Sequence, residues 1–278
     1  MAPASKIRFR GAACALAAAL LWGLVPLYID IVDATDPYEI VAHRALWSGV
    51  LLFPSVVITG GVQKLPGVMV DSPTRRGFLV SSFLLTANWG MFVYAVQSGH
   101  AIEAALGYFI YPLVAVVLGI LLLREQLDRL GWVAVGIVVC GVLAKMGLDG
   151  RLPVIGLCLA VTFGLYGVTR KKMRIDPVMG MFVETLFVVP LAAGYLIWMA
   201  CVGQPVFYGG GFINILLALL AGVITVVPLL LYHAGNRDLP MAMASLLFYA
   251  NPTTQLCLGV FVFGGVFTFA DGLTFGLI

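Results

Sequence analysis

Three ionisable residues stand inside stretches that are otherwise nearly free of charge: His43, Arg44 and Glu184. Arg44 follows Pro37 by seven residues, about 10 Å along a helix at a rise of about 1.5 Å per residue. Its long side chain can either snorkel back to a membrane interface or face a polar cavity, paired with an acid or holding an anionic group of a solute. His43 points about 100° away and shares a helical stripe with Glu39 and Trp47 at i, i+4 spacing. It reads either as a coupling-proton site or as a hydrogen-bonded structural histidine. Glu184 lies 140 residues beyond Arg44. A glutamate is too short to snorkel well, so an interior role is expected, with the carboxyl able to carry a proton. Glu103 is the competing partner for Arg44, or else an interfacial carboxylate.

Polar groups also gather at two prolines. Pro112 and Pro252 would each remove a helical hydrogen bond and free a carbonyl in mid-membrane. Tyr111, Asn251 and Gln255 flank those positions. Tyr108 and Tyr111, with Phe248 and Tyr249 at an offset of 140, would line an aromatic cavity for a planar or amphipathic solute; the competing reading is an interfacial aromatic belt. Ala115 with Gly119 and Ala160 with Gly164 have the spacing of close helix contacts. Cys14, Cys140, Cys158, Cys201 and Cys257 show no metal-ligand or disulfide spacing. No metal site and no cofactor is expected. No GxxxxGK[ST], HExxH or GxSxG motif is present, so this chain does not itself use ATP and carries no familiar hydrolase signature.

The elements that must position these residues are membrane helices. The 278-residue chain is 62% apolar and 10% charged, with a mean hydropathy of +1.05. Residues 11–29, 45–63, 77–99, 104–123, 130–144, 152–169, 185–236 and 239–270 contain no Asp, Glu, Lys or Arg. A bilayer core needs roughly 20 apolar residues per helix, and the longest run has room for two helices joined between Gln204 and Gly211. Spans are expected near 11–30, 38–59, 77–98, 101–123, 129–146, 153–169, 178–202, 212–233 and 239–263, with a tenth opening near 269. The first is read as a retained span rather than a cleaved signal. The tenth stops at Ile278, half a crossing deep, so a longer protein is expected. Thirteen of the sixteen cations fall in loops on one side, including Arg170, Lys171, Lys172 and Arg174. Cytoplasmic loops keep Lys and Arg, which predicts a cytoplasmic N-terminus and an even number of spans. The basic 170–174 segment fits that rule, and no nucleic-acid partner is expected.

Shifting the chain by 140 residues aligns Tyr111-Pro112 with Asn251-Pro252, Leu118-Gly119 with Leu258-Gly259, and Asp36-Pro37 with Asp176-Pro177. Two repeats of five spans follow, 1–150 and 151–278, and an odd number of spans inverts the second relative to the first. Inverted repeats are a transporter architecture with the solute site where the halves meet.

Several segments carry a family resemblance: Trp22 to Tyr28, Glu39 to Ser48, Asn88-Trp89, Glu103 to Phe109, Tyr166-Gly167 with Arg170 to Lys172, Glu184-Thr185, and Thr225 to Pro228. Across essentially its whole length the chain resembles the RarD (chloramphenicol-sensitive protein) branch of the EamA-type drug/metabolite transporters. The resemblance implies an all-α membrane protein of ten helices in two inverted EamA repeats, a bacterial inner-membrane location, and secondary transport or efflux. Asn88 joins the candidate pathway residues. The chain departs from the branch at Tyr111, where Asn is usual, at Asp30, where Lys is usual, and at Arg124-Glu125 and Gly264-Gly265, where the branch has Gly-Glu. The reading is a secondary transporter, an exporter of a small metabolite or drug-like solute by alternating access, with a coupling proton as an option. The rivals are an integral-membrane enzyme acting on lipid, with Arg44, His43 and Glu184 as its site, and a channel, for which polar stripes along several spans are lacking. The expected partners are a small-molecule solute and the lipid bilayer, and no feature of the sequence fixes an oligomeric state.

Overall fold

A computed structural model describes residues 4–32, 35–98, 100–127, 129–149, 154–204 and 211–262. These residues form twelve α-helices: α1 (Ala4–Gly23), α2 (Val25–Ile31), α3 (Pro37–Ile58), α4 (Leu65–Val70), α5 (Ser72–Gln97), α6 (Ala101–Leu123), α7 (Arg129–Asp149), α8 (Val154–Met173), α9 (Pro177–Cys201), α10 (Phe212–Asp238), α11 (Met241–Leu247) and α12 (Ala250–Phe261). Six segments are long and apolar enough to cross a membrane: Lys6–Ile31, Pro37–Ile58, Ser72–Ala95, Val154–Met173, Pro177–Cys201 and Phe212–Asp238. Their outer faces carry exposed Phe83, Leu191, Ile197 and Ile213. In a protein without a bilayer that surface would demand burial.

The starts of α3 and α9 are written in the sequence. Asp36 accepts from the backbone N–H groups of Tyr38 and Glu39, at 2.9 and 3.1 Å. Asp176 accepts from those of Val178 and Met179, at 3.0 and 3.3 Å. Each aspartate caps a helix whose first residue is proline, which supplies no N–H and already has a helical φ. The two helices pack against one another, and the Tyr195 hydroxyl near the end of α9 donates to Asp36 at the start of α3, 2.9 Å away. They are therefore antiparallel.

Two expected spans are interrupted. The segment 11–30 breaks at Leu24, because Pro26 has no N–H to continue the ladder and Leu27 bonds instead to the Leu24 carbonyl, one residue short of α-helical spacing. The segment 239–263 breaks between α11 and α12, where Phe248, Tyr249 and Asn251 each bond three residues back. Pro112 has no N–H to give to the α6 ladder, yet the helix continues through it. Its neighbourhood is braced from outside: the Tyr249 hydroxyl donates to the Phe109 carbonyl at 2.9 Å. The tenth span falls outside the described residues.

The largest core cluster joins α5, α6, α8, α9, α10 and α11 through residues such as Phe78, Tyr111, Tyr166, Phe182, Leu229 and Phe248. Helices α6 and α8 pack backbone to backbone. A Cβ on Gly107 would lie 2.8 Å from the Gly156 carbonyl oxygen, so the two backbones touch only because position 107 is glycine. That contact sets the distance between Tyr108 and Tyr111 on one helix and Phe163 and Tyr166 on the other.

Candidate functional site

A cavity of about 500 Å³ lies between α1, α2, α3, α5, α6, α8 and the α11–α12 break. That volume suits a small solute. Seven residues singled out from sequence line it: Arg44, Asn88, Tyr108, Tyr111, Phe248, Asn251 and Gln255. Trp22, Trp89, Phe92 and Phe163 complete an aromatic wall. Tyr111 holds its place by ring contacts at 5.0 Å to both Phe163 and Phe248. The cavity reaches Asp30, an exposed residue at the end of α2.

Arg44 does not snorkel. Its Nε donates to Thr225 Oγ1 at 2.9 Å, and its guanidinium carbon sits 4.5 Å from the centre of the Trp89 ring. Thr225 in turn donates to the Ala221 carbonyl of α10, which fixes its rotamer. Among the described residues no carboxylate forms an ion pair with Arg44. The polar lining is held in place around it. Asn88 spends its amide protons on the Leu159 carbonyl and Thr162 Oγ1, both at 2.9 Å, so its carbonyl oxygen is what remains for a solute. Gln255 donates to Asn251 Oδ1 at 2.7 Å across one helical turn.

At the other end the cavity is floored by aromatic side chains. Trp22 meets Phe163, Tyr232 and Phe248 at 5.6 to 5.8 Å between ring centres, and the Tyr111 and Tyr232 hydroxyls lie 2.9 Å apart. Beyond that floor sits Glu184, 2% exposed. Among the described residues it forms no ion pair with Arg44. Its Oε1 accepts from Ser81 Oγ at 2.6 Å and lies 3.3 Å from Arg170 Nε, while its Oε2 accepts from the Tyr166 hydroxyl at 3.2 Å. The same hydroxyl is 2.7 Å from His233 Nε2. Arg170 also lies over the Phe78 ring, 5.4 Å from its centre. The Arg170–Glu184 contact is a charge pairing without hydrogen-bond geometry, since Arg170 Nε has no acceptor in line.

Of the remaining expected residues, His43, Trp47 and Tyr249 do not line the cavity. Glu39 and His43 are fully buried on the predicted stripe of α3, with 3.7 Å between Glu39 Oε1 and His43 Nε2. Trp47 Nε1 donates to His43 Nδ1 at 3.2 Å. Trp47 packs on α10 at Gly222. Tyr249 braces α6, as described above. Glu103 belongs to α6, and its side chain lies outside the described residues.

Ion pairs tie the helix ends on the Glu184 side. Glu125 accepts from Lys171 Nζ at 2.9 Å and from the backbone N–H groups of Met241 and Ala242 at 2.8 and 3.2 Å. One carboxylate thus joins the end of α6 to the end of α8 and the start of α11. Arg10 pairs with Asp238 at 2.6 Å, but the arginine is exposed, so that contact adds little to stability.

Residues 9–145 match the EamA-like transporter family. The chain is 35% identical over 279 residues to an uncharacterized transporter of Vibrio cholerae, covering all of this chain and 92% of that protein. It is 36% identical over 256 residues to protein RarD of Escherichia coli, covering 92% and 86% of the two chains. The chain belongs to the RarD branch of the EamA-like transporter family. A third relative, the chloramphenicol-sensitive protein RarD of Pseudomonas aeruginosa, is 30% identical over 267 residues, covering 94% of this chain and 88% of that one. One crystal structure superposes with a TM-score of 0.73 over 96% of this chain and 94% of the other at 18% identity, a likeness of fold.

The protein is thus a multi-pass membrane transporter of the drug/metabolite class. Several residues around Arg44 and Glu184 escaped the reading of single charges. Trp89 and Thr225, which anchor Arg44, and Tyr166, which bridges Glu184 to His233, sit in the very segments that carry the RarD resemblance. Arg170 is one of four clustered cations, and its i, i+4 spacing from Tyr166 was the available signal that it turns inward. His233, a lone histidine in a charge-free run, gave none beyond its type.

Proposed function

We propose that this RarD-branch chain is a ten-helix secondary transporter of two inverted repeats, 1–150 and 151–278, that exports a small amphipathic solute carrying an anionic group. The observation that carries the solute class is the environment of Arg44. A guanidinium fixed by Thr225 and Trp89, with no carboxylate partner among the described residues, faces an aromatic cavity of about 500 Å³. A cation in an apolar wall with no carboxylate partner among the described residues is costly, and an anionic solute relieves that cost. Aromatic rings and amides then favour a planar body.

Alternating access is supported by the uneven closure of the two ends. With a cytoplasmic N-terminus, the cavity reaches the exterior near Asp30, while the Trp22–Phe163–Tyr232–Phe248 floor and the Glu125–Lys171 pair close the cytoplasmic end. Glu184, with one charged partner and two hydroxyl donors, serves as the coupling-proton site: losing its charge would release Arg170 and loosen α8 from α9. A lipid-modifying enzyme built on Arg44, His43 and Glu184 would need them together, and they point into three different neighbourhoods.

The test uses purified protein and a panel of aromatic monocarboxylates with their neutral amides. Carboxylates should raise the melting temperature more than amides, and Arg44→Gln should erase that preference. The best binder should then leave proteoliposomes faster when the outer pH is lowered, and Glu184→Gln should abolish that drive while leaving solute exchange. Equal stabilisation by acids and amides sinks the solute class, and an unchanged pH drive in Glu184→Gln sinks the proton site.

A further inference from the structure

We infer that Glu184 and His233 share one transported proton through the Tyr166 hydroxyl, so that the coupling site is a carboxylate–phenol–imidazole relay spanning α9, α8 and α10. The inference rests on the reading of Glu184 as the proton site and adds two residues to it. Tyr166 is fully buried, with its oxygen 3.2 Å from Glu184 Oε2 and 2.7 Å from His233 Nε2. A hydroxyl has one proton and two lone pairs. Placed between these two groups, it must donate to one and accept from the other. The direction can reverse without any heavy atom moving.

The transfer balances as follows. With Glu184 ionised, the Tyr166 O–H donates to Oε2 and His233 Nε2–H donates to the tyrosine oxygen. When His233 takes up a proton at Nδ1, its Nε2 proton passes to the Tyr166 oxygen as the original hydroxyl proton passes to Glu184 Oε2. The products are a neutral carboxylic acid, an unchanged phenol and a neutral imidazole protonated at Nδ1. One positive and one negative charge have cancelled. Arg170, 3.3 Å from Glu184 Oε1, then loses its counter-charge, and this links proton arrival to the α8–α9 contact.

The surroundings favour such sharing over a fixed charge. Titratable or charged groups facing the relay are Arg170 and Tyr166 from α8, Glu184 from α9 and Tyr232 from α10 itself, with the Ser81 hydroxyl contributed by α5. Tyr166 is held by stacking on Phe163 at 5.9 Å and by an edge contact with the His233 ring at 5.4 Å. The bridging oxygen therefore has little freedom to leave. His233 and Glu184 are both buried, at 6% and 2% exposure, so the relay lies inside the helix bundle.

Infrared difference spectra of the purified full chain in detergent, with no solute added, across acid to neutral pH, test the relay. The carboxylic C=O band that disappears in Glu184→Gln reports the proton on Glu184. Both Tyr166→Phe and His233→Gln should shift the midpoint of that band by about one pH unit or more, as coupled groups do. In the Tyr166→Phe background, His233→Gln should then add no shift, because the bridge is already gone. A further shift on adding His233→Gln to Tyr166→Phe means the two groups feel each other through space, and the relay is overturned. So does a band whose midpoint neither single variant moves, although Glu184 remains a proton site in that case. A band that survives Glu184→Gln overturns the Glu184 reading itself, and the relay with it. Tyr166→Phe keeps the ring and its stacking, and an unchanged melting temperature would show that the fold is intact.

Discussion

Replacing Gly180 by alanine should destabilise this protein, although helix propensity alone says the opposite. Gly180 lies inside α9, where alanine is better than glycine by about 1 kcal/mol. A Cβ at this position, however, would collide with the guanidinium group of Arg170. A flexible side chain can usually swing away, but Arg170 is 6% exposed and confined between Phe78 and Glu184. Moving it leaves the Glu184 carboxylate buried without its counter-ion. Breaking a buried pair by removing one partner costs about 3–5 kcal/mol. Subtracting the gain in propensity leaves a net loss of about 2–4 kcal/mol. The assay is the unfolding free energy in mixed detergent–SDS micelles, comparing Gly180→Ala in the parent and in an Arg170→Leu/Glu184→Gln background. In the second background there is neither a guanidinium to displace nor a carboxylate to strand, so the substitution should be neutral or mildly stabilising. A parent-background Gly180→Ala that unfolds at the same or higher SDS would refute the claim that glycine at 180 exists to house Arg170.

Arg44→Lys should weaken binding of an aromatic carboxylate sharply while leaving the melting temperature close to the parent. Lysine cannot both donate to Thr225 and present a planar fork over Trp89, and loss of one charged hydrogen bond of about 1.5–3 kcal/mol corresponds to roughly a 10- to 150-fold drop in affinity. Unchanged affinity in the calorimeter would remove Arg44 from the site. The membrane orientation is checked by a cysteine at position 172 in a background free of Cys14, Cys140, Cys158, Cys201 and Cys257. An impermeant maleimide should fail to label it in intact cells and label it in inverted vesicles, and the reverse pattern would invert every statement about which end of the cavity is closed.

The sequence was most legible where one residue type has one physical use. Asp36-Pro37 and Asp176-Pro177 stood out as aligned landmarks just before the expected spans at 38–59 and 178–202, and the structure places a capped helix after each. Charge-free runs announced helices but not their breaks: Pro26 divides the first, whereas α6 runs whole through Pro112. The cavity was half legible. Tyr108, Tyr111, Asn251 and Gln255 line it as their position beside the prolines suggested, since polar groups in an apolar segment have few other places to go. The pairing of charges was not legible at all. Arg44 and Glu184 stand 140 residues apart like opposite halves of one bridge, yet each found a closer neighbour. Glu184 took Arg170, which the loop count had assigned to topology alone, and Arg44 took an aromatic ring and a hydroxyl. Depth along a helix can be read from the distance to a proline, but azimuth relative to another helix cannot, and partners depend on azimuth. That separation sets Arg44 against the cavity with no carboxylate partner among the described residues, and sets Glu184 in a separate polar cluster with Ser81, Tyr166 and Arg170.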